Sequence, residues 1–485
     1  RSSSFMQGLR RVPVGPMSYR LWNPDMTAYR QRESLPRSFA ADAQGLVWRA
    51  DNRYLPLGAN AYAVRPVTGT GLWEVHDPHL PGRYSPLLET NGAGAWRHDS
   101  ELPHEWSLLT LFRRLGFREE KISDPRALQA IAVSGIGQAA MRKLFVERGK
   151  PMAMLTDSVR RFRADSDVSQ FMTQIDTPAS APLADADLQL YLLTGAGRWP
   201  QDMAVIVKDI FGNEVTRYGA DEAVRQVNLT EDALRNGQFY TPVLAALSDS
   251  ERSHLLGSAT VESKNQIALL GKHIAGLAPR MRMAMMDRLF RRTDVCELSR
   301  GEPIIKAFPG LSASVADELV QHADAREWAQ LESGTVPLRL AEEARRYQQV
   351  QRLNRAYEGL YLDAASGRDA DMLVLDTLSH LPGWPGDVFV EILDWGVYAD
   401  QRAVVGPSDT PHKVLVEAYA ERYQVQDARS NSVSSHPSRT RANFFQALWE
   451  SLPAHSRKAI GVETDVDGTG LREKITALAL QRREA

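Results

Sequence analysis

The chain has 485 residues, 43% of them hydrophobic and 24% charged, with a formal net charge of -2. That length implies about three domains at ~150 residues each, and the apolar content excludes a disordered chain. The near-zero charge excludes a global field that draws the chain to nucleic acid or a membrane surface.

A single cysteine, Cys296, excludes an internal disulfide framework and any Cys-cluster metal site. No apolar run approaches the ~18 residues that a membrane-spanning helix needs. The start, Arg1-Ser2-Ser3-Ser4-Phe5, has neither Met nor a signal-peptide core, and the last residues stop inside a helical pattern. Both ends are expected to be cuts within a larger protein.

Taken in chain order, residues 1–45 are rich in Pro, Arg and Ser and read as an extended linker, helical around 26–32. Residues 46–105 read as a β-rich module. Leu46-Val47-Trp48-Arg49, Tyr54-Leu55-Pro56-Leu57, Tyr62-Ala63-Val64-Arg65 and Leu72-Trp73-Glu74-Val75 are short aromatic or β-branched runs. Turn signals at Asp51-Asn52, Gly58-Ala59-Asn60 and Gly69-Thr70-Gly71 separate them, and Leu87-Leu88 and Ala95-Trp96-Arg97 extend the pattern. A small antiparallel sheet or barrel is expected.

Residues 106–184 read as helical. Segment 107–115 ends at Gly116, Asp124-Pro125 opens a helix over 126–131, and 136–146 and 155–172 follow. A first α+β module is placed at 185–257, a helical spacer at 258–372 and a second α+β module at 373–485. The spacer helices are expected over 267–277, 281–290, 314–322 and 338–362. The fold class expected for the whole is α+β.

The two modules read as a diverged internal duplication. Gly197-Arg198-Trp199-Pro200-Gln201-Asp202, followed by Met203-Ala204-Val205-Ile206-Val207, answers to Pro382-Gly383-Trp384-Pro385-Gly386-Asp387, followed by Val388-Phe389-Val390-Glu391-Ile392. The offset is 185, and Leu188, Leu190 and Leu193 answer to Leu373, Leu375 and Leu378 at the same spacing. Aromatic-Gly turns come next, Phe211-Gly212 and Trp395-Gly396. Phe239-Tyr240 answers to Phe444-Phe445, Leu247 to Leu452 and Arg252 to Arg457, at an offset of 205. The second copy therefore holds an insertion of about 20 residues, including a polar segment over 430–438 that reads as a mobile loop. Each copy is expected to run helix, turn, β-hairpin, helix. A second hairpin is expected in the later copy over 413–419 and 422–425. Trp-Pro fixes an extended backbone before the first strand, and the Trp is expected to act as a lid on its module's core.

Candidate chemistry is sparse. Cys296 lies in Thr293-Asp294-Val295-Cys296-Glu297-Leu298-Ser299; it reads as a nucleophile activated by Arg291 and Arg292, or as a structural thiol at a helix end, the reading adopted. His76-Asp77-Pro78-His79 has the wrong spacing for ligands on a strand or helix and reads as a turn. Glu33, Asp42 and Asp51 are loop acids without an assignable partner. Ser134-Gly135-Ile136-Gly137-Gln138 reads as a helix–helix corner, since no strand precedes it and no Lys-Ser/Thr follows. The basic stretches at 280–292 and 339–346 interleave acids or apolar residues and read as solvated, paired faces. Met281, Met283, Met285 and Met286 mark an adaptable apolar contact. No catalytic, cofactor or metal residue is assigned.

Several stretches carry a resemblance. They are Ala307-Phe308-Pro309-Gly310-Leu311 with Ala316-Asp317-Glu318-Leu319; the run from Val336-Pro337-Leu338-Arg339-Leu340-Ala341-Glu342-Glu343 through Arg352-Leu353-Asn354-Arg355-Ala356-Tyr357-Glu358-Gly359-Leu360 to Pro385; Asp157-Ser158-Val159-Arg160-Arg161-Phe162-Arg163; and Tyr62, Trp73 and Trp96 in the β region. Together these resemble the large secreted dermonecrotic-toxin-like proteins of pseudomonads and their relatives, over about 46–485. Many of those carry leucine-rich repeats and a C-terminal novel ubiquitin ligase domain of the type found in Shigella and Salmonella effectors. The chain departs from them in holding no Leu-x-x-Leu-x-Leu repeat. Cys296-Glu297-Leu298 also does not supply the ligase's Cys-x-Asp context, so no catalytic residue carries over.

The resemblance implies a non-catalytic scaffold or interaction region of a secreted effector delivered into host cytoplasm. Host proteins would be its partners, with the ubiquitin machinery engaged through a region beyond Ala485. Two other readings are a toxin translocation or membrane-docking module, with 281–290 as the contact, and a cryptic enzyme using Cys296.

Overall fold

The computed structural model describes residues 6, 8–31, 41–49, 51–77, 79–117, 122–257, 263–365, 367–395, 399–419, 422–427, 433–436 and 438–484. The chain is α+β and divides into two units, Arg1–Val159 and Arg160–Ala485.

In the first unit, β1 (Arg10–Gly15) and β2 (Ser18–Trp22) form an antiparallel hairpin. A six-stranded antiparallel meander follows: β3 (Val47–Arg49), β4 (Asn52–Leu57), β5 (Asn60–Pro66), β6 (Trp73–Val75), β7 (Leu87–Thr90) and β8 (Trp96–His98). Leu55, Tyr62, Val64, Val75, Leu88 and Trp96 form its core. Short aromatic and β-branched runs set off by turn signals made these strands legible. The expected linker is a different matter. It holds the β1–β2 hairpin and a 3-10 turn at Met26–Tyr29, and Tyr29 is buried in the sheet's core. Its hydroxyl donates to the Tyr84 carbonyl at 2.6 Å. Composition concealed this, because a few aromatic anchors contacting a distant sheet order a segment that has no periodicity of its own. Helices α1 (Leu108–Arg114), α2 (Asp124–Ser134) and α3 (Gln138–Glu147) follow in the same unit. Ser123 is the N-cap of α2, so Asp124 and Pro125 are its first two residues, one position later in the helix than expected.

Helix α4 (Ala153–Ile175) runs through the boundary into the second unit. The first copy of the duplicated module begins with α5 (Ala186–Gly195), capped by Asp185, whose carboxylate accepts from the Leu188 amide. Strands β9 (Met203–Lys208), β10 (Glu214–Tyr218) and β11 (Arg225–Thr230) stand in the order β10-β9-β11. Strands β9 and β10 are the expected hairpin. Strand β11 runs parallel to β9 and was not foreseen; only Val227 and Leu229 of its six residues are buried, too few to signal a strand. Central β9 is buried on both faces through Val207, as a parallel-paired strand should be. Helices α6 (Glu231–Arg235), α7 (Tyr240–Ala245), α8 (Asp249–Leu256) and α9 (Ser263–Leu277) follow.

Next come α10 (Arg282–Thr293), α11 (Glu302–Ala307), α12 (Ala313–Gln321), α13 (Ala325–Glu332) and the long α14 (Leu338–Glu358). Helix α4 is fixed to this group by ion pairs, Arg160 to Asp294 and the buried Arg161 to Glu358.

The second copy repeats the plan. Helix α15 (Arg368–Ser379) precedes β12 (Val388–Trp395), β13 (Ala399–Val405) and β14 (His412–Ala418), with β13 antiparallel and β14 parallel to β12. Strands β15 (Tyr423–Asp427) and β16 (Val433–His436) extend this sheet to the order β13-β12-β14-β15-β16. The expected second hairpin is β14–β15. Part of the segment expected to be a mobile loop is strand β16, paired with β15; 430–432 and 437 lie outside the described residues, as does Gly396. Helices α16 (Arg441–Ser451), α17 (Ala454–Ala459) and α18 (Thr469–Glu484) end the chain.

Register makes the equivalence exact to the residue. Val205 pairs with Tyr218 and Val390 with Val405; Met203 pairs with Arg225 and Val388 with His412. The offset is thus 185 at the first strand and 187 at the next two, and the β15–β16 insertion raises it to 205 at Phe444. Helix α9 answers to α18 and packs on α5 as α18 packs on α15. The repeat unit therefore extends past 257 into what was expected to be spacer.

Candidate functional site

The thiol of Cys296 is half-buried, and burial, followed by the charges of Asp317, Asp294 and Glu302, pushes its pKa up to about 11. The arginines that the alternative, nucleophile reading would use act elsewhere: Arg292 pairs with Asp185 at 3.0 Å and Arg291 lines a cleft. A thiol held protonated among carboxylates is a poor nucleophile at neutral pH.

The other sequence candidates resolve into structural parts. Asp77 accepts from the His79 amide at 2.9 Å and pairs with Arg83 at 3.0 Å, making the expected turn. Asp42 accepts from the amides of Gln44 and Leu46 and from the Trp48 indole. Asp51 is exposed, and Glu33 lies outside the described residues. Gly135, in the left-handed region at φ 70°, ends α2, and Gly137 caps α3, giving the expected helix–helix corner. Arg288 grips Asp187 at 2.7 Å, and Arg339 grips Glu327 and Glu343 at 2.7 Å each. In α10, Met285, Met286 and Leu289 are buried, so its apolar face packs inward and only Met283 of the four methionines is exposed. No helix among the described residues is long and apolar enough to cross a membrane.

The second unit holds a cleft of about 900 Å³ between α10, α14 and the 309–312 loop. Met283 and Phe290 form an apolar wall, and the Arg161–Glu358 pair lies at its base. Arg355 on the rim pairs with Asp287 at 2.8 Å, and Arg352 with Asp369 at 2.5 Å. No His or Cys lines it among the described residues. Such a cleft can bind a mixed polar and apolar group.

A third place belongs to the second copy. Asp387 precedes β12, His412 begins β14 and His455 lies in α17. Their ligand atoms all lie within 4.8 Å of one another. His455 Nε2 is 3.1 Å from Asp387 Oδ1, His412 Nε2 is 3.7 Å from Asp387 Oδ2, and the two imidazole centroids are 4.8 Å apart. Hydrogen bonding from His455, then the nearby His455 and His412 charges, holds the Asp387 carboxyl below its ordinary range. The Thr410 hydroxyl donates to the Asp387 carbonyl and fixes the backbone there.

No family model matches this chain. A search of curated proteins and a search of solved structures likewise find no match.

The sequence reading assigned no metal ligand, and the fold places these three side chains together. They stand 25 and 43 residues apart, far from any short ligand motif. The one signal that leads to them is the duplication. Asp387 answers to Asp202, His412 to Arg225 and His455 to Ser250, next to Glu251. In the first copy Arg225 bridges two carboxylates, 2.8 Å from Asp202 and in contact with Glu251.

Proposed function

We propose that this chain is a non-catalytic interaction region of a large secreted bacterial effector. It presents two copies of one α+β module on a helical frame, while a ubiquitin ligase unit elsewhere in the parent protein acts on host proteins. The ligase part of this reading rests on the resemblance of 336–385 and its flanks to the dermonecrotic-toxin-like proteins.

The interaction part is supported by the tip of the β9–β10 hairpin. Ile210 is 80% exposed and Phe211 82% exposed. They sit on an ordered turn, where Asp209 accepts from the Phe211 amide at 2.8 Å and the Asn213 amide at 2.9 Å. Two adjacent large apolar side chains held out in water on a fixed turn have the form of an anchor for a partner's pocket.

The test uses purified 1–485 with a ubiquitin-charged conjugating enzyme. The expected result is no reducible ubiquitin adduct at Cys296 and no faster discharge of the enzyme; either one overturns the non-catalytic reading. For the anchor, cross-linking to host-cell extract is compared between the native chain and an Ile210→Ser/Phe211→Ser variant. A partner captured by the native chain should be lost from the variant, and equal capture by both overturns the role of the tip.

A further inference from the structure

The two copies differ in one solvent-facing cluster of charged and polar side chains. In the first copy a permanent cation, Arg225, lies between two carboxylates, Asp202 and Glu251. It ties the start of β9, the start of β11 and helix α8 together. In the second copy all three elements are retained, and the register keeps His412 beside the Asp387 end of β12. The permanent cation is gone, one of the two acids is gone (Ser456 stands where Glu251 would), and imidazoles occupy the site from both neighbouring elements. One carboxylate now faces two ring nitrogens, one on each of its oxygens.

We propose that Asp387, His412 and His455 form a site for one divalent first-row transition-metal ion, which does in the second copy what the Arg225 guanidinium does in the first. Imidazole and carboxylate donors together suit such ions, and zinc is commonly held by three protein ligands with a fourth position left open. Metal–donor bonds of about 2.0–2.2 Å in a tetrahedron put neighbouring donors roughly 3.3 Å apart. The two imidazole nitrogens lie 3.1 and 3.7 Å from different oxygens of the one carboxylate, and the three ligand atoms fall within 4.8 Å of one another, so a modest rotation of these side chains would bring them to that spacing around one ion. Each imidazole would offer its Nε2 lone pair with its proton on Nδ1, and Asp387 would bind as the carboxylate. The ion would link the start of β12, the start of β14 and α17, and its open coordination position would face solvent. The proposal concerns binding and stands apart from the ligase reading, so either can fail without the other.

Zinc alone is the probe. The chelator-stripped 1–485 chain is dialysed against Zn2+, and bound metal is counted beside a thermal melt. The expected result is one zinc per chain and a higher Tm with zinc. His455→Ala removes an exposed ligand, and His412→Arg installs the side chain that the first copy carries; each is checked for folding by circular dichroism. Each should weaken zinc binding at least ~10-fold, the lower end of what even an outer-shell partner is worth. No zinc bound by the native chain, or equal zinc bound by the variants, overturns the proposal. If His412→Arg fails to fold, His455→Ala decides the matter by itself, since its side chain is 41% exposed.

Discussion

The two copies of the module share a plan and differ in how each is held shut. In the first, Trp199 is buried and its indole donates to the Met203 carbonyl at 2.8 Å. In the second, the equivalent Trp384 is only half-buried, although both make the same turn, each amide donating three residues back at 3.0 Å. The second copy closes instead on Arg441, fully buried, whose guanidinium meets Asp371 at 3.2 Å and stacks 4.1 Å from the centre of the Phe444 ring. The equivalent position in the first copy is Asn236, which is exposed. A duplicated backbone therefore tolerates replacement of an apolar lid by a buried ion pair, because the strand register that defines the module lies in neither.

That contrast can be broken by substitution. Trp199→Ala should cost about 3–5 kcal/mol, the range for truncating a buried aromatic. Trp384→Ala should cost clearly less. Equal losses in denaturant unfolding would show that the two lids do the same job.

Arg441→Ala should cost about 3–5 kcal/mol by leaving Asp371 buried without its guanidinium partner. Asn236→Ala should stay within about 0.5 kcal/mol, as exposed positions do. The same unfolding measurement separates them.

Gly383→Ala addresses the turn before β12. Gly383 has φ +86°, and an added Cβ would lie 2.2 Å from the Ala459 carbonyl oxygen. The left-handed backbone alone should cost about 1–3 kcal/mol, and the clash with a fixed carbonyl adds to it. Arg198→Ala, at the equivalent and exposed position, should change little. A neutral Gly383→Ala would mean that α17 does not close on this turn.

The smallest effect concerns acid. Arg225 first, then the Ser248 amide, holds Glu251 down to about 2 from an ordinary 4.5, and Arg225 also lowers Asp202. An acid whose pKa is lowered by folding stabilises the fold above its ordinary value and loses that contribution as pH falls, here between about 4.5 and about 2. Arg225→Ala should therefore produce a small loss of stability at neutral pH that shrinks to nothing near pH 2. A loss that does not depend on pH would assign Arg225 a packing role instead.

Much of this was legible in the chain. The meander's strands, the Trp-Pro turn and the β9–β10 hairpin follow from short apolar runs and turn residues, and the helices of the frame from their periodicity. The ordered N-terminal segment was not legible, because its hairpin is exposed at most positions and Trp22 and Tyr29 contribute order only through contact with the sheet well downstream. Strand β11 was missed for want of apolar residues, and α9 was given to the spacer because sequence likeness between the copies fades before it. The grouping of Asp387, His412 and His455 was missed for a different reason. Each residue is unremarkable in its own surroundings, and only the parallel pairing of β14 on β12 brings the first two together.

The sequence by itself determined the class of fold, the duplication and the offset between its copies, since all three reside in local periodicity and in repeated side-chain types. The tertiary structure decided where the repeat ends, which copy closes on an ion pair, that Cys296 sits among acids, and that two histidines and an aspartate meet. Those outcomes depend on strand register and on burial, which join residues that no local pattern connects.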